Sequence, residues 1–178
     1  FLPDWQHLTR PLEGIDGVVA AIDQLAGVPI PASAWESLIL PSRVHDYTPA
    51  MLDELTATGE VLWAGVGALP GRDGWVSLHL ADSAPLTLTP PQGEVAEGSL
   101  GQRLINILGA GGAYFAAQLR QLSDAENEQS VIDALWELVW AGRITNDTFA
   151  PLRTLAGGGK QAHRVTRKTP RARLYRGS

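Results

Sequence analysis

The sequence predicts an α+β fold built from two similar halves followed by a basic tail. The halves are indicated by an internal repeat. A shift of 83 residues places Leu52, Leu55, Gly59 and Val61 over Leu135, Leu138, Gly142 and Ile144. The same order of patterns, namely three helices and then a strand, recurs in each half. A pattern that returns at a fixed spacing indicates that one structural unit occurs twice in the chain.

The helices of each half follow from apolar periodicity. Each half begins with an amphipathic segment, IDGVVAAIDQLAG or LGQRLINILGA, whose apolar residues return at intervals of three and four. A second short helix is expected to carry an apolar side made of Trp35, Leu38 and Ile39 in one half and Phe115, Leu119 and Leu122 in the other. A third helix then ends at a glycine, which tolerates left-handed geometry. Beyond that glycine, EVLWAG and RITND each predict a strand.

A complete hairpin is indicated only in the first half. VLWAGVGAL is followed by a Pro-Gly-Arg-Asp-Gly turn at 70–74 and by WVSLHLA, whose residues alternate with a period of two. The second half has no clear return strand. Three helices followed by a strand and a hairpin are the element order of a winged helix. The sequence therefore predicts two tandem winged-helix modules, the second with a reduced wing.

Breaks in composition divide the chain into five segments. The proline pair in APLTLTPPQGEVAEG cannot sustain a helix or a central strand, and three glycines after Leu155 separate the tail. The predicted organisation is a linker from a preceding domain at 1–12, winged-helix module 1 at 13–83, a proline-rich linker at 84–97, winged-helix module 2 at 98–156, and a glycine-initiated basic tail at 157–178 that leads to a further domain.

The charged residues are distributed unevenly, although the net charge is only −5. Residues 1–142 hold five basic and 18 acidic residues, whereas residues 143–178 hold nine basic residues and one acidic residue. Such a tail attracts polyanions, and a solubilising linker is an equal alternative. Any binding to DNA is expected to use weak backbone contacts without base specificity. The expected DNA-binding residues are Arg153, Lys160, Arg164, Arg167, Lys168, Arg171 and Arg173.

The third helix of the second half, which contains Trp136 and Trp140, is apolar over most of its circumference. This pattern predicts packing on more than one side, with Leu135 and Leu138 nearly inaccessible to solvent. Base stacking or cofactor contact by the two tryptophans is the alternative. The polar positions of both third helices are mainly acidic or uncharged. Because groove-reading helices normally present Arg, Lys, Asn or Gln, neither helix is expected to read the major groove.

No catalytic or metal site is expected in this chain. It contains no cysteine, and its four histidines, His7, His45, His79 and His163, lack the spacing of metal ligands on one helix. GGGKQ at 157–161 and GVGALPG at 65–71 each lack residues that a phosphate-binding loop requires. Asp147 closes a predicted strand beside a basic region, but turn chemistry explains it sufficiently. Without a long apolar run or a signal peptide, no membrane partner and a cytoplasmic location are expected.

Four strings that occur in order carry a resemblance to a known family: IPASAWESLILPSRV, YTPAMLDELTATGEVLWAG, GWVSLHLAD and ALWELVWAGRITNDTFAPLR. Together they resemble the C-terminal extension of the bacterial large helicase-related (Lhr) proteins, the long Lhr family of DNA helicases. The resemblance covers nearly all of residues 1–156. It implies tandem winged helices, associated with a β-barrel, that follow an ATP- and Mg²⁺-dependent motor. Walker A and DEAH-type motifs are absent from this sequence, so no cofactor is expected here.

The resemblance implies a non-catalytic part of an ATP-dependent DNA helicase that acts in DNA repair and supports DNA handling or assembly. Two alternatives stay open. One is a contribution to a DNA-glycosylase-like site formed with neighbouring modules, although no catalytic residue of that type can be placed here. The other is a protein–protein interaction module, which the acidic helices and apolar tryptophan surface favour. The expected partners are DNA and other domains of the parent helicase, and oligomerisation is left open.

Overall fold

The first half of the chain contains three helical segments and a small sheet in the computed structural model, which describes residues 11–157. The elements follow in the order α1 (Gly14–Gln24), β1 (Ile30–Pro31), α2 (residues 32–43), α3 (Pro49–Ala57), β2 (Val61–Leu69) and β3 (Asp73–Leu80). The strands pair antiparallel in the order β1-β3-β2. This mixture of helices and a small sheet confirms the α+β part of the predicted fold class, and its arrangement is consistent with a winged helix.

The segment α2 is a composite helix that is fixed to the sheet by a tryptophan. It consists of Ala32–Ala34, a π-helical turn at Trp35–Ile39 and a last turn at Leu40–Arg43. Trp35 is fully buried, and its Nε1 donates a hydrogen bond to the carbonyl oxygen of Val76 at 2.9 Å. A buried indole requires such an acceptor. The prediction for Leu38 is wrong, because its side chain is 61% exposed.

The wing hairpin predicted in the first half is confirmed. Strands β2 and β3 pair from Val61 opposite Leu80 to Leu69 opposite Asp73, with a β-bulge between Gly65 and Gly67. The turn between them is left-handed at Gly71 (φ 79°) and at Arg72 (φ 63°). Glycine adopts this geometry readily, whereas an arginine there is less common. Alternate residues of the hairpin point into the core, as the period of two predicted.

The second half is helical, with α4 (Ala84–Thr87), α5 (Leu100–Gly109), α6 (Ala116–Leu122), α7 (Glu128–Trp140) and α8 (Ala150–Gly157). Ser99 caps α5 by accepting a hydrogen bond from the backbone N–H of Gln102 at 3.2 Å. Asn127 caps α7 by accepting one from the backbone N–H of Ser130 at 2.8 Å. Such caps satisfy N–H groups that the first turn of a helix leaves unpaired.

The predicted strand after Gly142 is wrong, since residues 81–157 contain no strand. A strand needs a partner, and local side-chain bonds can hold the backbone in other shapes. Here the Thr145 hydroxyl donates to the carbonyl oxygen of Trp63 at 2.5 Å, and Asn146 Oδ1 accepts from the backbone N–H of Thr148 at 2.9 Å. The segment is thereby held against β2 without joining the sheet. A second winged-helix module with a reduced wing is therefore not confirmed.

Helix α7 packs into two hydrophobic cores, as its apolar circumference predicted. Val139 joins the core of the first half, with Trp136 and Trp140 packed against it. On another side, Leu138 joins the core between α5, α6 and α7. Leu138 is only 3% exposed, as expected, but the expectation for Leu135 is wrong because it is only partly buried.

The second half also contributes residues to the core of the first half. Phe149 and Leu152 lie beyond α7, yet both are buried in the core of the first half. The apolar side predicted for α6 is reduced to Leu119, because Phe115 is 81% and Leu122 is 59% exposed. Phe149 and Leu152, near the end of the described residues, thus complete the first core. The segment boundaries proposed from the sequence stay predictions.

Two glycines allow α7 to contact the hairpin backbone directly. A Cβ atom at Gly65 would overlap the carbonyl oxygen of Val139, and one at Gly74 would overlap the ring of Trp140. Any other residue at these positions would force the helix and the hairpin apart. Gly142 ends the contact with φ 70°, and its N–H donates to the carbonyl oxygen of Val139 at 2.9 Å. We refer to this contact as the glycine interface.

Substitution of Gly65 by alanine tests the glycine interface. We expect Gly65→Ala to lower the free energy of unfolding by about 1–3 kcal/mol, because the added methyl group must displace the backbone of α7. Gly109→Ala is the matched control, since a Cβ there meets nothing within 4 Å. The control should be neutral or stabilising by up to about 1 kcal/mol. Urea unfolding measures both variants, and equal stabilities would contradict the close approach.

Candidate functional site

An aromatic and apolar groove lies beside the glycine interface. Its deeper part is a cavity of about 320 Å³, which adjoins a second depression of about 580 Å³. The two parts share Trp136, Asn146 and Pro151, and together they are called the tryptophan groove. Aliphatic side chains from three helices and from the segment after α7 line the deeper part, among them Leu108, Leu119, Ile132, Leu135 and Ile144.

Trp136 is held in place by a stack of rings on the hairpin. Its ring centroid lies 5.5 Å from that of Trp140, with an angle of 23° between the two planes. Trp140 in turn covers Gly74, where only a glycine leaves room for the ring. Both tryptophans pack against the first core, as the packing interpretation predicted. Trp136 also lines both parts of the groove, a position that the sequence did not indicate.

The segment after α7 supplies the polar part of the groove. Asn146 Oδ1 accepts hydrogen bonds from the backbone N–H and the hydroxyl of Thr148, at 2.9 and 3.0 Å. These bonds fix the amide, whose Nδ2 has no hydrogen-bond partner within residues 11–157. The segment is further tied to β2, because Trp63 Nε1 donates to the carbonyl oxygen of Thr148 at 3.1 Å. The groove therefore offers an oriented amide donor beside an aromatic ring.

The lining of the groove carries no negative charge, although acidic residues predominate in residues 1–142. No Asp or Glu is among its lining residues, and Arg72 at the wing turn lines its shallower part. Arg72 is exposed and, within the described part of the chain, makes no ion pair and no side-chain hydrogen bond. Its guanidinium group is thus available to an anion.

Arg153, which was predicted to contact DNA, lies instead in a network of carboxylates. Its Nε donates to Glu36 Oε2 at 2.6 Å, and its Nη2 donates to Glu36 Oε1 at 2.8 Å and to Asp53 Oδ1 at 3.0 Å. These hydrogen bonds, chiefly those to Glu36, raise the pKa of Arg153. Burial, followed by the bond that its hydroxyl donates to Glu36, raises the pKa of Tyr47.

This network fastens α8 to α2 and α3, and its two carboxylates neutralise the guanidinium charge. DNA contact by Arg153 stays an untested prediction, but the geometry gives this residue a structural role. The other predicted DNA-binding residues lie outside the described residues: Lys160, Arg164, Arg167, Lys168, Arg171 and Arg173.

The groups that were considered for catalysis or metal binding are not assembled into a site in residues 11–157. Within this range no three His, Asp or Glu side chains are placed so that they could hold a metal ion. Asp147 is exposed at the surface. Of the helices in the same range, none is long and apolar enough to cross a membrane.

Ser77 and His79 form a buried pair that the sequence did not predict. The Ser77 hydroxyl lies 2.8 Å from His79 Nε2, and Nδ1 of the same ring lies 2.7 Å from the Thr87 hydroxyl. A nucleophile needs access to its substrate, yet Ser77 is 1% and His79 is 0% exposed. The pair has a structural role instead, because the contact between His79 and Thr87 joins α4 to the hairpin. Their spacing of two in a strand, which places both on one face, was the signal that could have revealed it.

The buried imidazole makes stability depend on pH. Burial lowers the pKa of His79 in the folded state. Below a pH of about 6.5, the usual pKa of histidine, the unfolded chain binds a proton that the folded chain excludes, so stability falls as the pH falls. We expect the melting temperature to drop between about pH 7.5 and pH 5, and His79→Gln to reduce that drop. His45→Gln, which changes an exposed histidine, is the control. Identical pH profiles for the wild type and His79→Gln would contradict this role.

Comparison with known proteins links the chain to one family. Residues 1–81 match the family model described as the winged-helix domain of the large helicase-related protein. A Mycolicibacterium smegmatis protein named "Lhr helicase/probable uracil glycosylase" is 52% identical over 184 residues, which cover 98% of this chain. The Escherichia coli protein named "Lhr helicase/uracil glycosylase" is 47% identical over 170 residues and 92% of this chain. The chain spans only 12% and 11% of the lengths of these relatives.

Proposed function

The chain belongs to the large helicase-related (Lhr) family, and on this basis we propose that it is a non-catalytic winged-helix part of an ATP-dependent DNA helicase. In this proposal the parent protein acts in DNA repair in the cytoplasm. The chain supports DNA handling or assembly, and its partners are DNA and the other domains of the parent. The ATP and Mg²⁺ of the motor are bound outside these residues.

The observation that carries this proposal is the glycine interface between α7 and the wing hairpin. In winged-helix and related helix-turn-helix proteins that read DNA, a recognition helix enters the major groove. Here α3 presents the exposed carboxylate of Glu54, which repels the phosphate backbone, and its Asp53 is paired with Arg153. Helix α7 covers the hairpin at Gly65 and, beside the turn, at Gly74, so the hairpin connects the two halves internally. Both features favour a supporting element over a module that reads base sequence.

Exposed apolar side chains support the assembly part of the proposal. Leu86 is 89% exposed, while Phe115 and Leu122, at the two ends of α6, are 81% and 59% exposed. Large exposed apolar groups occur at surfaces that other protein segments cover. Because the chain spans about an eighth of its relatives, neighbouring domains are the natural partners for these groups.

A contribution to a glycosylase site is the second candidate. Both curated relatives carry the words uracil glycosylase in their names. The tryptophan groove, with aromatic rings beside the amide of Asn146, is the feature of this chain that favours such a contribution. Neighbouring modules would supply the catalytic groups, since none is assigned to this chain.

Removal of the basic tail tests the DNA-handling proposal. We expect the intact chain to bind labelled DNA with a Kd on the order of 10⁻⁴–10⁻⁶ M at physiological salt, and affinity to fall steeply as salt rises. A truncation that ends at Ala156 should lose most of this affinity, because it removes the basic residues of the tail. The truncated chain keeps Arg153 of α8, but that residue is already paired with carboxylates. Fluorescence anisotropy measures both, with thermal unfolding as a control for folding. A truncated chain that retains most of the affinity would exclude the tail as the binding element.

A further inference from the structure

We propose that the tryptophan groove binds one unstacked base of single-stranded DNA, with the adjoining phosphate on Arg72. This inference rests on the proposed function and deepens it, because it names the ligand of a specific site. The basic tail would supply most of the electrostatic affinity, and the groove would add a contact that only strands carrying bases can make.

The aromatic lining is the first argument. A base stacks well on a ring that is already fixed, and proteins use such platforms to bind single strands irrespective of sequence. Trp136 is such a ring, because Trp140 supports one of its faces and Gly74 supports Trp140. Tyr114 lines the same cavity, and its hydroxyl is fixed by a hydrogen bond to the carbonyl oxygen of Gly111 at 2.9 Å. The cavity volume of about 320 Å³ lies within the usual range for small-ligand sites.

The amide of Asn146 favours a nucleotide as the ligand. Thr148 holds its carbonyl oxygen, which leaves the Nδ2 hydrogen atoms to donate to a carbonyl oxygen on the edge of a base. An apolar peptide side chain in the groove would satisfy neither this donor nor Arg72. Because covering a polar group without a partner costs free energy, a nucleotide fits the groove better than an apolar peptide does.

The charge of the groove lining also favours an anionic strand. Acidic residues outnumber basic residues by 18 to five in residues 1–142, yet the groove lining contains no carboxylate. Arg72 projects from the wing turn into the shallower part, where a phosphate next to a bound base can reach it. An anionic strand that extends from Arg72 to Trp136 therefore meets no carboxylate of the groove lining.

Comparison of strands with and without bases tests the proposal on the intact 178-residue chain. The probes are fluorescein-labelled oligo(dT) and an oligonucleotide of equal length in which abasic tetrahydrofuran sites replace the bases. One stacked base should make oligo(dT) bind about tenfold more tightly than the abasic strand. Trp136→Leu should remove this difference. Trp75→Leu is the matched control and should retain it, since Trp75 is 38% exposed on β3 and does not line the groove.

A second pair of variants tests the phosphate contact and does not depend on the folding of Trp136→Leu. Arg72→Gln changes an exposed side chain at a turn. It should reduce the slope of log affinity against log salt by about 0.7, the value for one phosphate of a single strand. Arg120→Gln removes a positive charge outside the groove and should leave the slope as it is in the wild type.

The outcomes separate this inference from the broader proposal. Equal binding of the two strands by the wild type, or an unchanged difference in folded Trp136→Leu, would overturn the groove as a base-binding site while DNA handling by the tail stands. An unchanged salt slope in Arg72→Gln would overturn the phosphate contact. If the intact chain binds neither strand, both the groove inference and the proposed function fail.

Discussion

The glycine interface between the wing hairpin and the end of α7 determines how the rest of the structure is arranged. Without side chains at Gly65 and Gly74, the backbone of α7 and the ring of Trp140 can lie directly on the hairpin. This position directs Val139 into the first core and leaves Leu138 for the second. Helix α7 therefore belongs to both halves, and the groove beside it exists because Trp140 holds Trp136 against the same surface.

Two further connections fasten the segment after α7, so the join between the halves does not depend on one contact. The indole of Trp63 donates a hydrogen bond to the carbonyl oxygen of Thr148, and the hydroxyl of Thr145 donates one to the carbonyl oxygen of Trp63. Arg153 links α8 to Glu36 and Asp53. The carboxylates of the helix that would face DNA in a groove-reading protein are partly used in this connection. The supporting role proposed for this chain rests on these connections between the halves.

Local chemistry made the hairpin and most helices predictable from the sequence, whereas features that depend on distant partners were not. The period of two in WVSLHLA and the turn at 70–74 specified the wing. Strand β1 was missed because two residues carry no periodicity, and the strand after Gly142 was wrong because no return segment exists to pair with it. The tryptophans were recognised, but the groove needs Tyr114 and Asn146 beside them. The ion pairs of Arg153 were not predicted, because summed charge does not reveal a carboxylate 117 positions away.

The most direct test of this account is native-state hydrogen exchange of the intact chain. If the glycine interface joins the halves into one cooperative unit, the protected amides of β2, β3 and α7 should exchange with the same free energy of opening and the same dependence on denaturant. If the amides of α5, α6 and α7 instead exchange through an opening of lower free energy that leaves the hairpin protected, the halves are independent and the account is wrong.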